Sequence, residues 1–460
     1  MGYGDLILFP VFLILLSLFF RAIRNTYDDP LLRKYHRMGF WVKVVGCIAF
    51  FTYSVYLSPG DSIGLYQKEG NNIYHLILHD PGRLNWLFQK GKYFDEYFLK
   101  DPYNAGYFKS ESNYMVTRIV TILSFITAGR YAAISLIFAC IAYSGVWKLF
   151  LFFYEQYPHM HKKFAIAILF FPTFVFWSGG ILKDTLCIAA LGWITYSLYE
   201  IFYKKKGFIK NSIILFVFGY LLAILKVYIL ISYVPFFILF IILKNTQEIK
   251  SKLLKYLLAP ALILACIFGY TKVLNSFDED LGGYAVGYLT TSIQHLNGAF
   301  KAMNGNETAE SNFDLGVEFD GSFRGLMKLA PVAIATTFFR PFLWESHKAS
   351  QLLASLESLV LMFFTLFIIF KSGFRTLIKL VLTDPLIMYC FLFSLVFALF
   401  VGASTLNFGT LVRYKIPCLP FYTISLFLIY EKVKEKSLKK SFQMVNPMAN
   451  SEIALYQVAS

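Results

Sequence analysis

Five charged motifs interrupt an otherwise apolar chain, each where a long apolar run ends: Ser58-Pro59-Gly60-Asp61, Lys183-Asp184, Lys226-Val227-Tyr228, Arg340 with Glu345, and Arg413-Tyr414-Lys415. Their side-chain types suit the handling of a phosphate ester. An arginine presents a planar fork that matches phosphate oxygens, and a lysine presents a compact point charge. A carboxylate beside them can take a proton from a hydroxyl acceptor, or hold a metal ion bound to the phosphate.

Each motif also has a plainer reading. Pro59 and Gly60 stop a helix, so Asp61 could be no more than an acidic turn residue. Asp80, Asp95, Glu96 and Asp101 are fallback acids that solvation alone would explain. Lys183 and Asp184 follow Gly179-Gly180, so a local ion pair with Asp184 capping the next helix is one reading. The other leaves Lys183 to meet an anion. Lys226 could be a lysine snorkelling to an interface, or a second phosphate contact. Phe342 and Trp344, beside Arg340, could anchor the segment in an aromatic belt or stack on a sugar ring. Arg413 and Lys415 run against the usual placement of positive charge, which favours anion binding there.

Other chemistries find little support. His75 and His79 have helical spacing beside Asp80 but lack a third strong ligand, so no metal site is assigned. A divalent cation held at Asp61 is the only cofactor the pattern leaves room for. The six cysteines lie in apolar runs without a CxxC pair and read as small buried hydrophobes. No phosphate-binding Gly-rich loop and no nucleophile elbow occurs.

The elements that must position these residues are membrane helices. The 460 residues are 57% hydrophobic and only 15% charged, where a soluble domain carries about a quarter charged. The formal charge of +15 would suit nucleic acid, but its distribution does not. More than half of the 43 Lys and Arg fall in the short segments 21–39, 159–163, 204–210, 244–255, 371–379 and 431–440. In the alternate segments 59–114 and 273–324 acids outnumber bases. That alternation marks topology, with the basic loops cytoplasmic and attracted to anionic lipid.

A span needs about 20 apolar residues. This predicts an all-α, polytopic protein with about eleven transmembrane helices. They are placed near 4–20, 40–58, 130–153, 163–181, 184–203, 211–225, 228–243, 256–272, 352–370, 384–403 and 416–430. The alternation closes if 211–243 is a hairpin with Lys226 at its apex. Residues 1–440 then form one transmembrane domain with outer loops 59–114 and 273–351, an outer amino terminus, and a disordered cytoplasmic tail over 441–460. Interfacial helices are expected at Met115–Gly129 and at Gly325–Phe342, the latter interfacial or re-entrant. The amino-terminal apolar run lacks a basic leader and a cleavage site and reads as a retained span.

This layout resembles the polyprenyl-phosphate-dependent membrane glycosyltransferases of the GT-C superfamily, and also O-antigen polymerases and ligases. The strings around Pro172-Thr173, Trp177 to Asp184, and Arg413 to Pro417 resemble those of a group of bacterial envelope proteins. The resemblance implies a glycosyltransferase or polysaccharide polymerase of the bacterial cytoplasmic membrane. Its partners would be a polyprenyl-linked sugar lipid and bulk membrane lipids, not nucleic acid. Asp61 would match the acceptor-activating loop carboxylate, and Arg413 and Lys183 the groups that hold the lipid phosphate. Arg340, Lys226 and Lys415 would add phosphate contacts, with Asp184, Glu345, Trp344 and Trp177 in support. In many GT-C enzymes the acidic loop follows the first span, whereas here it follows the second. A transporter or flippase for an anionic lipid or solute, or a non-catalytic subunit of an envelope assembly, fits the same charges.

Overall fold

The computed structural model describes residues 3–247, 312–316, 323–346 and 348–445. Among these residues the protein is all-helical, and the only β pairing is an isolated antiparallel bridge between Asn312 and Asn407. The α-helices are α1 (Tyr3–Asn25), α2 (Pro30–Tyr56), α3 (Lys68–His79), α4 (Ala105–Phe108), α5 (Glu111–Thr127), α6 (Tyr131–Gln156), α7 (His161–Phe164), α8 (Pro172–Trp177), α9 (Lys183–Phe202) and α10 (Phe208–Gln247). They continue with α11 (Phe323–Phe339), α12 (Ala349–Ser372), α13 (Phe374–Thr383), α14 (Pro385–Ser404), α15 (Phe408–Tyr414) and α16 (Leu419–Val445).

Among the described residues seven helices are long and apolar enough to cross a membrane, or eight if α15 and α16, bent by 62°, count as one span. This makes a polytopic membrane protein, but the count falls short of the expected eleven. Residues 256–272 lie outside the described residues. The expected span 163–181 is broken: α7 runs into a π-helical turn over Ala165–Leu169, and α8 begins afresh at Pro172. Pro172 supplies no N–H and cannot continue a helix from residue 171, so it starts one. The expected spans 211–225 and 228–243 are arms of one element, α10.

Contacts along α9 show how α10 runs. Asn211 donates to Glu200, and Phe218 stacks on Trp193. Lys226 reaches Asp184, Tyr233 pairs with Thr195, and Lys244 lies over the Tyr203 ring. The chain therefore climbs α9 from its carboxyl to its amino end and then descends. Lys226 is the reversal, with non-helical φ −155° and ψ 76°.

Further contacts define the two ends of the bundle. Asp61, the amino end of α9, the α10 apex and α15 share one end. Lys163–Glu431, Lys204–Glu155, Lys244–Gln156 and Lys432–Asp384 pairs gather the lysine-rich loops at the other. Asp5 of α1 faces the first residues of α6, at the Asp61 end. Exposed Leu6, Ile14, Leu18 on α1 and Val360, Phe363, Phe370 on α12 give these helices the apolar outer surface a bilayer requires.

The loop that follows α2 is ordered by its acids. The Glu69 carboxylate is fully buried and accepts from the Lys100 and Asp101 N–H groups and from Asn104. Asp80, Asp95 and Asp101 each cap a 3₁₀ turn, and Glu96 pairs with Lys109. The fallback acids are thus structural. In α5 the polar stripe expected at an interface turns inward. Thr121 donates to the Gly70 carbonyl, and Thr117 and Ser124 are buried, while Ile122, Phe125 and Ile126 are exposed. α11 runs antiparallel along α14, with Thr337 donating to the Ala398 carbonyl and Gly402 against Ala333. It descends from the Asp61 end, and the chain turns back at Arg340-Pro341.

Candidate functional site

The site begins with a close approach of backbones. A Cβ on Gly180 would lie 2.1 Å from the Phe50 ring, and one on Gly179 would lie 2.8 Å from the Gly46 carbonyl oxygen. Only glycines let α8 end against α2 here, which delivers Lys183, Asp184 and Thr185 as the first turn of α9. Leu182 stands at the cap position and offers no side-chain bond. Asp184 therefore sits at the positive end of the helix dipole. It does not cap that helix, as one reading expected, but takes partners from elsewhere in the chain.

Those partners are Lys226 and Arg413. The Lys226 ammonium donates to Asp184 Oδ1 at 2.5 Å, and Arg413 Nε donates to Oδ2 at 2.5 Å. Arg413 Nη1 also donates to Asp61 Oδ2 at 2.8 Å. The guanidinium thus bridges two carboxylates from segments far apart in sequence. Asn407 starts α15 by accepting from the Thr410 N–H, and so fixes the helix that carries Arg413. Tyr414 lies beneath Lys226, its ring centre 3.7 Å from the ammonium, a favourable cation–π placement.

Burial grades along this chain of charges. The Asp184 side chain is 0% exposed, Lys226 6%, Arg413 15% and Asp61 51%. Asp61 is the outward end. Lys183 lies beside the cluster, donating to Ser112 Oγ at 2.7 Å, and has no carboxylate at ion-pair distance among the described residues. Two carboxylates therefore meet three cations. Tyr66 borders the cluster and donates to Asn113 Oδ1. Burial, with Asp61 acting the same way, pushes its phenol well above the ordinary value, so it stays a donor.

The other predicted residues form a separate group across α15. Arg340 pairs with Glu345 through two of its nitrogens, and Phe313 and Phe408, stacked at 4.5 Å, cover the guanidinium. Lys415 is buried and donates to the Arg340 carbonyl at 2.9 Å and to Ser358 Oγ at 2.8 Å. Trp344 is exposed and stacks on Phe342 at 4.9 Å. Trp177 packs among Phe50, Tyr53 and Phe176, and its buried indole N–H has no acceptor among the described residues. Neither joins the Asp184 network.

No family model, no curated protein and no solved structure matches this chain.

Three residues that sequence reasoning passed over matter locally. Glu357, inside an apolar run of α12, accepts from the Thr173 N–H and hydroxyl and so caps α8 from outside. Lys43, midway along α2, is buried and donates to the Ser178 hydroxyl and carbonyl at the end of α8. Ser112 seats Lys183. An isolated charge inside an apolar run was the available signal for the first two. Ser112 gave none. For metals, His159, Glu431 and Glu435 are the one group among the described residues whose ligand atoms lie close enough together, at the lysine-rich end. His75 and His79 are not part of it.

Proposed function

We propose that the protein is a membrane glycosyltransferase or polysaccharide polymerase using a polyprenyl-phosphate- or diphosphate-linked sugar. The observation that carries this reading is the Arg413 bridge between buried Asp184 and half-exposed Asp61, with Lys183 in surplus beside it. Lys183 and Arg413 neutralise the lipid phosphate as the bond between the sugar's anomeric carbon and the phosphate oxygen breaks. Asp61 accepts the proton of the attacking hydroxyl. Asp184 and Lys226 hold Arg413 in place and leave the rim only one unpaired positive charge. A divalent cation at Asp61 would bind the same phosphate. In this reading the Asp61 end faces outward from a bacterial cytoplasmic membrane, and the lysine-rich end faces the cytoplasm.

The test is sugar transfer by purified protein in nanodiscs, with the lipid-linked donor. Asp61→Asn should lower turnover by about 10²- to 10⁴-fold with donor binding retained. Full transfer by both Asp61→Asn and Arg413→Ala would make this assignment of roles wrong. A carrier for an anionic lipid is the second reading, and Lys43, an ionisable group buried midway along α2, favours it. Proteoliposomes separate the two. A carrier moves labelled lipid between leaflets and loses this in Lys43→Met, whereas the transferase does not depend on Lys43 for chemistry.

A further inference from the structure

A group of a different kind lies at the lysine-rich end of the bundle. α6 stops at Gln156, and Pro158 opens a 3₁₀ turn over Pro158–Met160 that leads straight into α7. This turn brings His159 to α16. There Glu431 and Glu435 stand four positions apart and so share one face of the helix. One ring nitrogen of His159 and one carboxylate oxygen of each glutamate all lie within 4.8 Å of one another. The imidazole and the two acids come from elements far apart in the chain. The fold makes this approach, and no local sequence motif announces it.

Like charges one helical turn apart repel each other. The cations nearby only partly relieve this. Lys163 donates to Glu431 through Oε2, and Lys434 and His159 also act on that carboxylate. Glu435 acts on Lys432, which lies over the Tyr157 ring and meets Asp384 at 3.6 Å. Partly exposed ion pairs of this kind are worth about 0–1 kcal/mol, so they yield to a stronger partner. A tetrahedral ion about 2.1 Å from each ligand would hold the three atoms about 3.5 Å apart. His159 and Glu435 are exposed and Glu431 is half-buried, so side-chain rotation can close the remaining distance.

We propose that His159, Glu431 and Glu435 bind one divalent ion of the zinc class, with water completing the coordination, and that the ion ties the turn after α6 to α16. The ligand types select the ion. Mg²⁺ and Ca²⁺ take oxygen ligands, whereas an imidazole nitrogen beside two carboxylates suits Zn²⁺. The two carboxylates balance its charge, and the neutral imidazole adds none. This site is independent of any transfer chemistry at the Asp61 end.

The experiment titrates untagged, chelator-treated full-length protein in detergent with Co²⁺, whose visible absorption reports its ligands, and then displaces it with Zn²⁺. One Co²⁺ should bind per chain, Zn²⁺ should displace it, and Zn²⁺ should raise the unfolding midpoint. His159→Ala and Glu435→Gln, both at exposed positions and so compatible with folding, should each weaken Co²⁺ by more than about tenfold. Lys163→Gln releases Glu431 and should tighten binding. His75→Ala/His79→Ala removes the other closely spaced histidines and should change nothing. Undiminished Co²⁺ affinity in folded His159→Ala, or its loss in the His75/His79 double variant, would overturn the site. Displacement of Co²⁺ by Mg²⁺ as readily as by Zn²⁺ would overturn the ion class.

Discussion

The Asp184 cluster and the Arg340 cluster sit on either side of α15 and are built from the same parts, yet they are finished differently. Arg340 meets one carboxylate, Glu345, and two aromatic rings close over it. Its neighbour Lys415 is spent on a carbonyl and a hydroxyl. The group is self-contained. Across α15, Arg413 is divided between two carboxylates, one of them half-exposed, and Lys183 adds a cation with no acid at ion-pair distance among the described residues. The difference lies in stoichiometry and access, not in residue type. A cluster that balances its own charge supports the fold, whereas one that keeps a surplus at an open edge can receive an anion.

Substitutions can break this contrast. Asp184→Ala strands two buried cations and should cost about 3–5 kcal/mol, seen as a large fall in the unfolding midpoint in detergent or as failure to accumulate. Glu345→Gln strands a partly exposed arginine that keeps its aromatic cover. It should cost about 1–2 kcal/mol in the same measurement. Asp61→Asn removes the outward carboxylate alone and should change stability by less than about 1 kcal/mol, while lowering transfer by about 10²- to 10⁴-fold. A loss for Asp61→Asn as large as that for Asp184→Ala would mean that the rim is structural throughout.

The smallest expected effect concerns pH. A hydrogen bond from Lys68 holds the Asp101 carboxyl below its ordinary value of 3.8. The unfolded loop therefore binds this proton more readily than the folded one. The contribution is complete above that ordinary value and is lost as pH falls through the lowered one. Hydrogen exchange around Tyr103 should quicken in that acid range, and Lys68→Gln should weaken the pH dependence, leaving the part due to the Tyr103 N–H.

How much of this was legible depends on the setting of each residue. Charges at the ends of apolar runs are conspicuous, so Asp61, Lys183, Asp184, Lys226 and Arg413 stood out as candidates. The α10 reversal followed from basic residues at both ends of one long apolar run. Partner choice was not legible. Arg340 has its acid, Glu345, close by in sequence, whereas the carboxylates that meet Arg413 arrive from α9 and from the loop after α2. The break at Pro172 was hidden because overall apolarity outweighed one helix breaker. Lys43 fell near the end of a span placed too far along the chain, so its central position was missed.

The lipid phosphate is expected at the cluster with the surplus cation. Polyprenyl phosphate binding to purified wild type, Lys183→Gln and Arg340→Lys tests it directly. Affinity should be about tenfold weaker for Lys183→Gln and unchanged for Arg340→Lys. Wild-type affinity in a folded Lys183→Gln protein would contradict it.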